Sequence, residues 1–119
     1  MKKNTREILI YYDPRRRNDR QTIAMARGLS VHVRSYAYGQ TPSTETGWKG
    51  ILNALDCHPK DLLDKSHPYY QLHIRGREFD DESWIKILRF NPDIIRSPIA
   101  MRGRHAVFCN SPSDVHRLV

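Results

Sequence analysis

The sequence predicts an α/β fold: a four-stranded mixed sheet divided between a βαβ half and a ββα half, with a helical insertion between them. Three observations lead there. The run Ile8 to Tyr12 is continuously apolar and β-prone and is followed at once by a helical pattern and a second strand. The middle of the chain carries apolar residues at helical spacing. The end offers two short strands joined through Arg102-Gly103-Arg104, ahead of a capped helix.

Taken in order, Ile8 to Tyr12 reads as a central strand buried on both faces. Asp13-Pro14 breaks it, and Asn18 or Asp19 is placed to cap a helix with Thr22, Met25, Ala26 and Leu29 on its apolar face and Gly28 near its end. Val31 to Tyr36 alternates with period two, as a half-exposed strand does, so the first three elements form a right-handed parallel unit. A turn follows over Gly39 to Ser43. Thr44 caps a second helix carrying Trp48, Ile51, Leu52 and Leu55. His58-Pro59 opens a short helix with proline in its first position, using Leu62 and Leu63 as apolar contacts.

Ser66 to Phe79 is polar, aromatic and irregular, and reads as a loop or short hairpin that includes Tyr69 and Tyr70. Asp80 or Asp81 then caps a helix whose Trp84, Ile87 and Leu88 face inward until Asn91-Pro92 stops it. Pro98 to Met101 and His105 to Cys109 form the hairpin. Ser111-Pro112-Ser113-Asp114 supplies a cap, a first-turn proline and an acidic third position for the closing helix. The element order is that of a thioredoxin-like fold with a helical insertion.

With 119 residues and 39% hydrophobic content, the chain suits one core and a single domain over residues 1–119. No run is long enough for a membrane helix, so no membrane association is expected. Two cysteines far apart, Cys57 and Cys109, signal neither a disulfide framework nor a zinc knuckle, and a reducing, cytoplasmic setting fits them. The six histidines, His32, His58, His67, His73, His105 and His116, have no metal-ligand spacing. No metal or other cofactor is called for. The net charge of +7 permits attraction to nucleic acid, an acidic protein or small anions without choosing among them. No nucleic-acid module or aromatic and basic platform accompanies it, so nucleic acid is not the favoured partner.

Four segments resemble, in order, those of the arsenate reductase (ArsC) and Spx family. Asp13-Pro14-Arg15-Arg16-Arg17-Asn18-Asp19-Arg20 after the first strand resembles the family's Asn-Pro-x-Cys-x-x-Ser-Arg. Leu55 to Lys65 looks like its Leu-Gly-x-x-x-x-x-Leu-Leu-Arg-Lys, and Asn91 to Ile99 is similar to its Asn-Pro-x-Leu-Ile-x-Arg-Pro-Ile. Cys109 to Ser113 resembles its final Arg-Pro-containing run. The resemblance spans most of the chain and implies a thioredoxin-like fold. In the family a cysteine thiolate at the start of the first helix attacks arsenate while three arginines hold the oxyanion. Carried over by position, the cysteine falls on Arg16 and the arginines on Asp64, Ser97 and Asn110. An arginine has no sulfur with which to form a thiol adduct or mixed disulfide.

The resemblance therefore implies a scaffold without its nucleophile, a non-catalytic binding or regulatory module. Arg15, Arg16, Arg17 and Arg20 at a helix start could hold an oxyanion or an acidic partner, with Arg96 a neighbouring candidate. A solvated basic loop, with Arg16 paired to Asp64, is the plainer reading of the same residues. Because Spx-like members bind the C-terminal domain of the RNA polymerase α subunit, the resemblance also implies a protein partner. The alternative is a glutathione- or glutaredoxin-coupled arsenate reductase using Cys57 or Cys109, although a lone cysteine at such places is more often a small inert hydrophobe. The family frame also places a cis-proline at Pro98, after Ser97.

Overall fold

The computed structural model describes residues 7–29, 32–38, 44–96 and 98–119. It divides into two compact units, one built from residues 1–41 and 97–119 and the other from residues 42–96.

The first unit holds the mixed sheet. β1 (Ile8–Tyr12), β2 (Val33–Ala37), β3 (Ile99–Arg102) and β4 (His105–Phe108) lie in the order β2-β1-β3-β4. β1 runs parallel to β2, with Ile10 opposite Ser35, and antiparallel to β3, with Ile10 opposite Ala100. β3 and β4 are antiparallel, and Arg102 pairs with His105 across a two-residue turn in which Gly103 has φ 61°, a conformation open to glycine. Helix α1 (Arg17–Leu29) and a closing 3₁₀ helix (Pro112–Leu118) share one face of this sheet. Ile23 and Ala26 of α1 and Val115 and Leu118 of the 3₁₀ helix join Ile8, Ile10, Ala100, Val107 and Cys109 in one core.

Several expectations are corrected here. β1 is not buried on both faces: Ile8 and Ile10 are sealed, whereas Leu9, Tyr11 and Tyr12 are only half-buried. The inward face of α1 is Asp19, Thr22, Ile23 and Ala26, and Met25 is exposed, because Ile23 sets the phase of the helix. Neither Asn18 nor Asp19 caps α1. The helix starts at Arg17, and the Asp19 carboxylate reaches back to the chain before it. The closing helix is 3₁₀, and it carries the expected capping box between Ser111 and Asp114. The turn expected over Gly39 to Ser43 and the expected strand start at Val31 lie outside the described residues. So do Ser97 and, with it, the Ser97-Pro98 peptide bond expected to be cis.

The second unit is helical: α2 (Glu45–Leu55), α3 (Pro68–His73), α4 (Asp81–Phe90) and two 3₁₀ turns, Pro59–Leu62 and Pro92–Ile94. Trp48, Ile51, Leu62, Leu63, Tyr70, Ile74, Trp84, Ile85, Leu88, Ile94 and Ile95 are all buried. On α4 it is Ile85, not Ile87, that joins Trp84 and Leu88. An isolated bridge pairs Leu63 with Ile95 and ties the turn before α3 to the end of the unit. The irregular segment after Ser66 contains helix α3, not a hairpin. His67 caps it by accepting the Tyr69 N–H at Nδ1 (3.1 Å), just as His58 accepts the Lys60 N–H (3.0 Å) ahead of Pro59. Two His-Pro pairs thus start helical turns by the same device. Helix α2 keeps the cap read from sequence, with Thr44 Oγ1 accepting the Gly47 N–H at 3.0 Å. Thr44→Ala is expected to lower stability by about 1 kcal/mol in urea titration with the slope unchanged.

Candidate functional site

The turn between β1 and α1 is organised by two carboxylates. Asp13 is 5% exposed and Asp19 is 1% exposed, an unusual pair inside a run of arginines. The Asp13 main-chain N–H donates to Asp19 Oδ2 at 2.9 Å. Asp13 Oδ1 accepts the Arg15 N–H at 2.9 Å, an Asx-type turn across Pro14, and the Arg16 N–H donates to the Asp13 carbonyl at 3.1 Å. Both Asp13 oxygens also receive the Arg15 guanidinium, Nε at 3.1 Å and Nη2 at 2.9 Å, and Arg16 Nε lies 3.7 Å from Oδ2. Arg20 Nη1 donates to the Pro14 carbonyl at 2.9 Å, closing the turn from the helix side.

These contacts separate the arginines. Arg15 and Arg20 brace the turn, Arg16 is half-buried beside Asp13, and Arg17 is exposed at the first residue of α1. The fork from Arg15 holds the Asp13 carboxyl below its ordinary value of 3.8, outweighing burial. Asp19 is pushed the other way. Its burial dominates, and the Asp13 N–H and the Arg16 charge only partly offset it. Tyr38 follows β2 and is anchored by its N–H to the Tyr12 carbonyl at 2.7 Å. Burial first, then the Asp19 charge, drives its phenol well above 10, and Arg16, Cys109 and Asp13 also act on it electrostatically. One neighbourhood therefore contains two carboxylates, a guanidinium, a phenol and a thiol.

The thiol is poorly suited to nucleophilic work. Cys109 is fully buried just after β4, its N–H donates to the Pro98 carbonyl at 2.9 Å, and its thiol is pushed up to about 12, by burial above all. Asn110, next along the chain, is exposed.

The remaining candidates belong to the second unit. Asp64 Oδ1 accepts the Ser66 N–H at 3.0 Å and the Ser66 hydroxyl at 2.6 Å, and its own N–H donates to Ile94. Arg96 N–H donates to the Leu62 carbonyl at 2.9 Å, and its Nε reaches the Asp61 carbonyl at 3.3 Å, so it clasps the 3₁₀ turn of its own unit. Cys57 is partly exposed, and its thiol is raised by burial and by Asp61 and Asp56. It lies in an open cleft of about 670 Å³ with Lys49, Asp56, His58 and Asp81. Among the described residues no group of three His, Cys, Asp or Glu side chains could hold a metal ion, and no helix is long and apolar enough to cross a membrane.

The sequence pointed to the arginines and missed the acids and the phenol that arrange them. Two aspartates inside an arginine run were the available signal for the first. Nothing in the sequence marked Tyr38.

No known family profile matches the sequence. It is 23% identical over 117 residues to the uncharacterised protein YfgD of Escherichia coli strain K12, covering 97% of this chain and 98% of that protein. Among solved structures it is similar to an arsenate reductase from Vibrio cholerae, with TM-score 0.85 and 17% identity over 95% of this chain and 98% of that one. It is also similar to a protein provisionally described as an arsenate reductase from Yersinia pestis, with TM-score 0.83 and 22% identity over 93% and 99%. At these identities the likeness shows the fold. The chain has the thioredoxin-like α/β fold of the arsenate reductase structures, with the helical unit following β2 and preceding β3 in the sequence.

Proposed function

We propose that this chain uses an arsenate-reductase-like scaffold as a non-catalytic binding module, and that the turn between β1 and α1 takes a small oxyanion or an acidic side chain of a protein partner. The observation that carries the reading is the charge balance of that turn. Residues 13–20 hold four guanidinium groups against two carboxylates, and both carboxylates are buried. Four guanidiniums against two carboxylates leave the turn net positive even with Arg15, Arg16 and Arg20 in contact with Asp13 or Pro14, and exposed Arg17 opens a thirteen-residue helix whose first N–H groups add to that potential. Arg16 stands where the resemblance would put the nucleophile, which favours binding over covalent chemistry. The two unpaired cysteines suit a reducing, cytoplasmic setting. Asn110, exposed next to Cys109 in the same unit, is a further candidate contact for the anion, whereas Asp64 and Arg96 serve the helical unit, Asp64 accepting from Ser66 and Arg96 reaching the Asp61 carbonyl.

Calorimetric titration with sulfate, phosphate and arsenate tests this. One oxyanion should bind per chain, and Arg16→Ala should weaken it by roughly ten- to a hundredfold, the worth of a charge-assisted hydrogen bond. Absence of binding to all three, together with no protein recovered on the immobilised chain, would sink the proposal.

The second reading is a glutathione- or glutaredoxin-coupled reductase, favoured by the arsenate reductase structures it resembles and by the partial exposure of Cys57. Arsenate turnover above background that disappears in the Cys57→Ser, Cys109→Ser double variant would establish it. Turnover unchanged in that variant would dismiss it.

A further inference from the structure

The net positive charge of this protein comes from one of its two units. Residues 1–41 and 97–119 contain twelve of the twenty lysines and arginines and four of the thirteen acids, a net +8, while residues 42–96 contain eight and nine, a net −1. None of the four acids in the sheet unit stands alone on its surface. Asp13 and Asp19 are buried, Glu7 lies 3.6 Å from Arg34, and Asp114 Oδ2 accepts the Ser111 N–H in the capping box. The sheet unit therefore presents positive charge almost unopposed.

Four of those twelve cations, Arg17, Arg20, Arg27 and Arg117, stand on the helical layer over one face of the sheet. α1 exposes Arg17, Arg20, Gln21, Ala24, Arg27 and Gly28 along one side with Met25 beside them, and the closing 3₁₀ helix packed next to it exposes Ser113, His116 and Arg117. No acidic side chain is exposed on either element, because Asp19 points inward and Asp114 is tied to Ser111. Arg17 and Arg27 are ten residues apart, about 15 Å along the helix, comparable with the roughly 12 Å width of a duplex major groove. Ala24 between them and Gly28 just beyond Arg27 keep the ridge low, and a methyl group added at Gly28 would meet nothing within 4 Å.

We propose that this layer docks on the phosphate backbone of a double-stranded nucleic acid without reading its sequence. Neither element carries a Phe, Tyr or Trp, so there is no platform on which the bases of a single strand would stack. Arginines spaced along a helix engage phosphates through charge and release condensed counterions, which makes binding steeply salt-dependent. This goes beyond the oxyanion reading and does not need it. Arg27 and Arg117 belong to the layer and not to the turn.

Fluorescence anisotropy with a labelled duplex of about 20 base pairs and mixed sequence tests it. If Arg17, Arg20, Arg27 and Arg117 each neutralise one phosphate, affinity should fall about 10²-fold between about 50 and 200 mM salt. Arg27→Ala, Arg117→Ala should reduce that fall to about tenfold, while Lys65→Ala, Arg75→Ala in the other unit leaves it unchanged. Both arginines of the first variant are exposed, and its circular dichroism and sulfate titration should match the parent. The proposal is overturned if no duplex binds at the lower salt, if the salt dependence survives the Arg27 and Arg117 changes, or if the Lys65 and Arg75 changes reduce it equally. Polyglutamate binding as tightly as the duplex would also overturn it, by assigning the layer to an acidic protein.

Discussion

Iodoacetamide at about pH 8 is expected to modify Cys57 in the folded protein and leave Cys109 untouched. Cys109 has no exposed surface, and its thiol is pushed up to about 12. With that value only about one molecule in 10⁴ carries the thiolate at pH 8, against roughly a quarter for an ordinary thiol near 8.5, a deficit of about 10³ before access is considered. Asp114 adds to the effect of burial, whereas Arg117 and the Ala100 N–H oppose it without reversing it. Cys57 is also raised, by burial and then by Asp61 and Asp56, so it should react more slowly than a free thiol, yet it is partly exposed and should be fully labelled first. Mass spectrometry of peptides labelled before and after urea separates the two sites. Cys109 labelled at the rate of Cys57 without denaturant would contradict the burial argument, and it would give the reductase reading the accessible thiol it lacks in the sheet unit.

That outcome bears on why a fold associated with thiol chemistry can be present without the chemistry being implied. The sheet and its helical insertion depend on apolar periodicity and turn residues that leave the β1 to α1 turn free to vary. A thiolate nucleophile needs cations and helix N–H groups around one exposed sulfur. In this turn the cations are present, and the side chain at their centre is Arg16, drawn toward Asp13. The same electrostatic setting that would activate a thiol is here partly balanced by internal carboxylates, and on the proposed binding role its remaining charge is what an anion would meet.

How much of this was legible in the sequence depends on how local each cause is. β1, the β3 to β4 hairpin and the Thr44 cap follow from a β-prone run, a glycine at a two-residue turn and a hydroxyl three residues ahead of Gly47, all of which act within a few positions. Helix α3 was missed because its cap is the Nδ1 of His67, which is not a usual cap residue, and its buried side chains are reduced to Tyr70 with Ile74 just beyond. The face of α1 was misread by one step because Met25 and Ile23 compete for the same stripe, and packing against the sheet chose Ile23. In the candidate site the arginine cluster was plain and its internal bracing was not. Whether a long guanidinium reaches solvent or folds onto Asp13 is decided by the path of the turn, which no spacing rule reveals. Tyr38 is the extreme case, brought to Asp19 and Arg16 only by the parallel pairing of β2 with β1.

The opposed carboxylates of the turn should have opposite effects on acid stability. Asp13 is held below its ordinary value of 3.8 by the Arg15 fork, so the stability it contributes is present at neutral pH and is lost as pH falls through its folded value. Asp19 is raised above 3.8 by burial, so its contribution is fully present below that value and is lost as pH rises through its folded value. Asp13→Asn should therefore destabilise at pH 7 and converge on the parent at low pH. Asp19→Asn keeps an acceptor for the Asp13 N–H while removing a buried charge, so it should gain on the parent as pH rises. Alanine also removes the hydrogen-bond acceptors. Asp13→Ala removes a bidentate charge-assisted contact and the Arg15 N–H acceptor and should cost about 2 kcal/mol at pH 7, because Arg15 is largely exposed and its share is screened. Asp19→Ala leaves the buried Asp13 N–H without its acceptor, a loss of about 1 to 3 kcal/mol that no pH restores. Urea titrations at several values from about pH 3 to 7 read all four variants. Parallel curves for Asp13→Asn and Asp19→Asn would mean that the two carboxylates titrate as a single solvated pair, and the bracing of the turn by Asp13 would have to be abandoned.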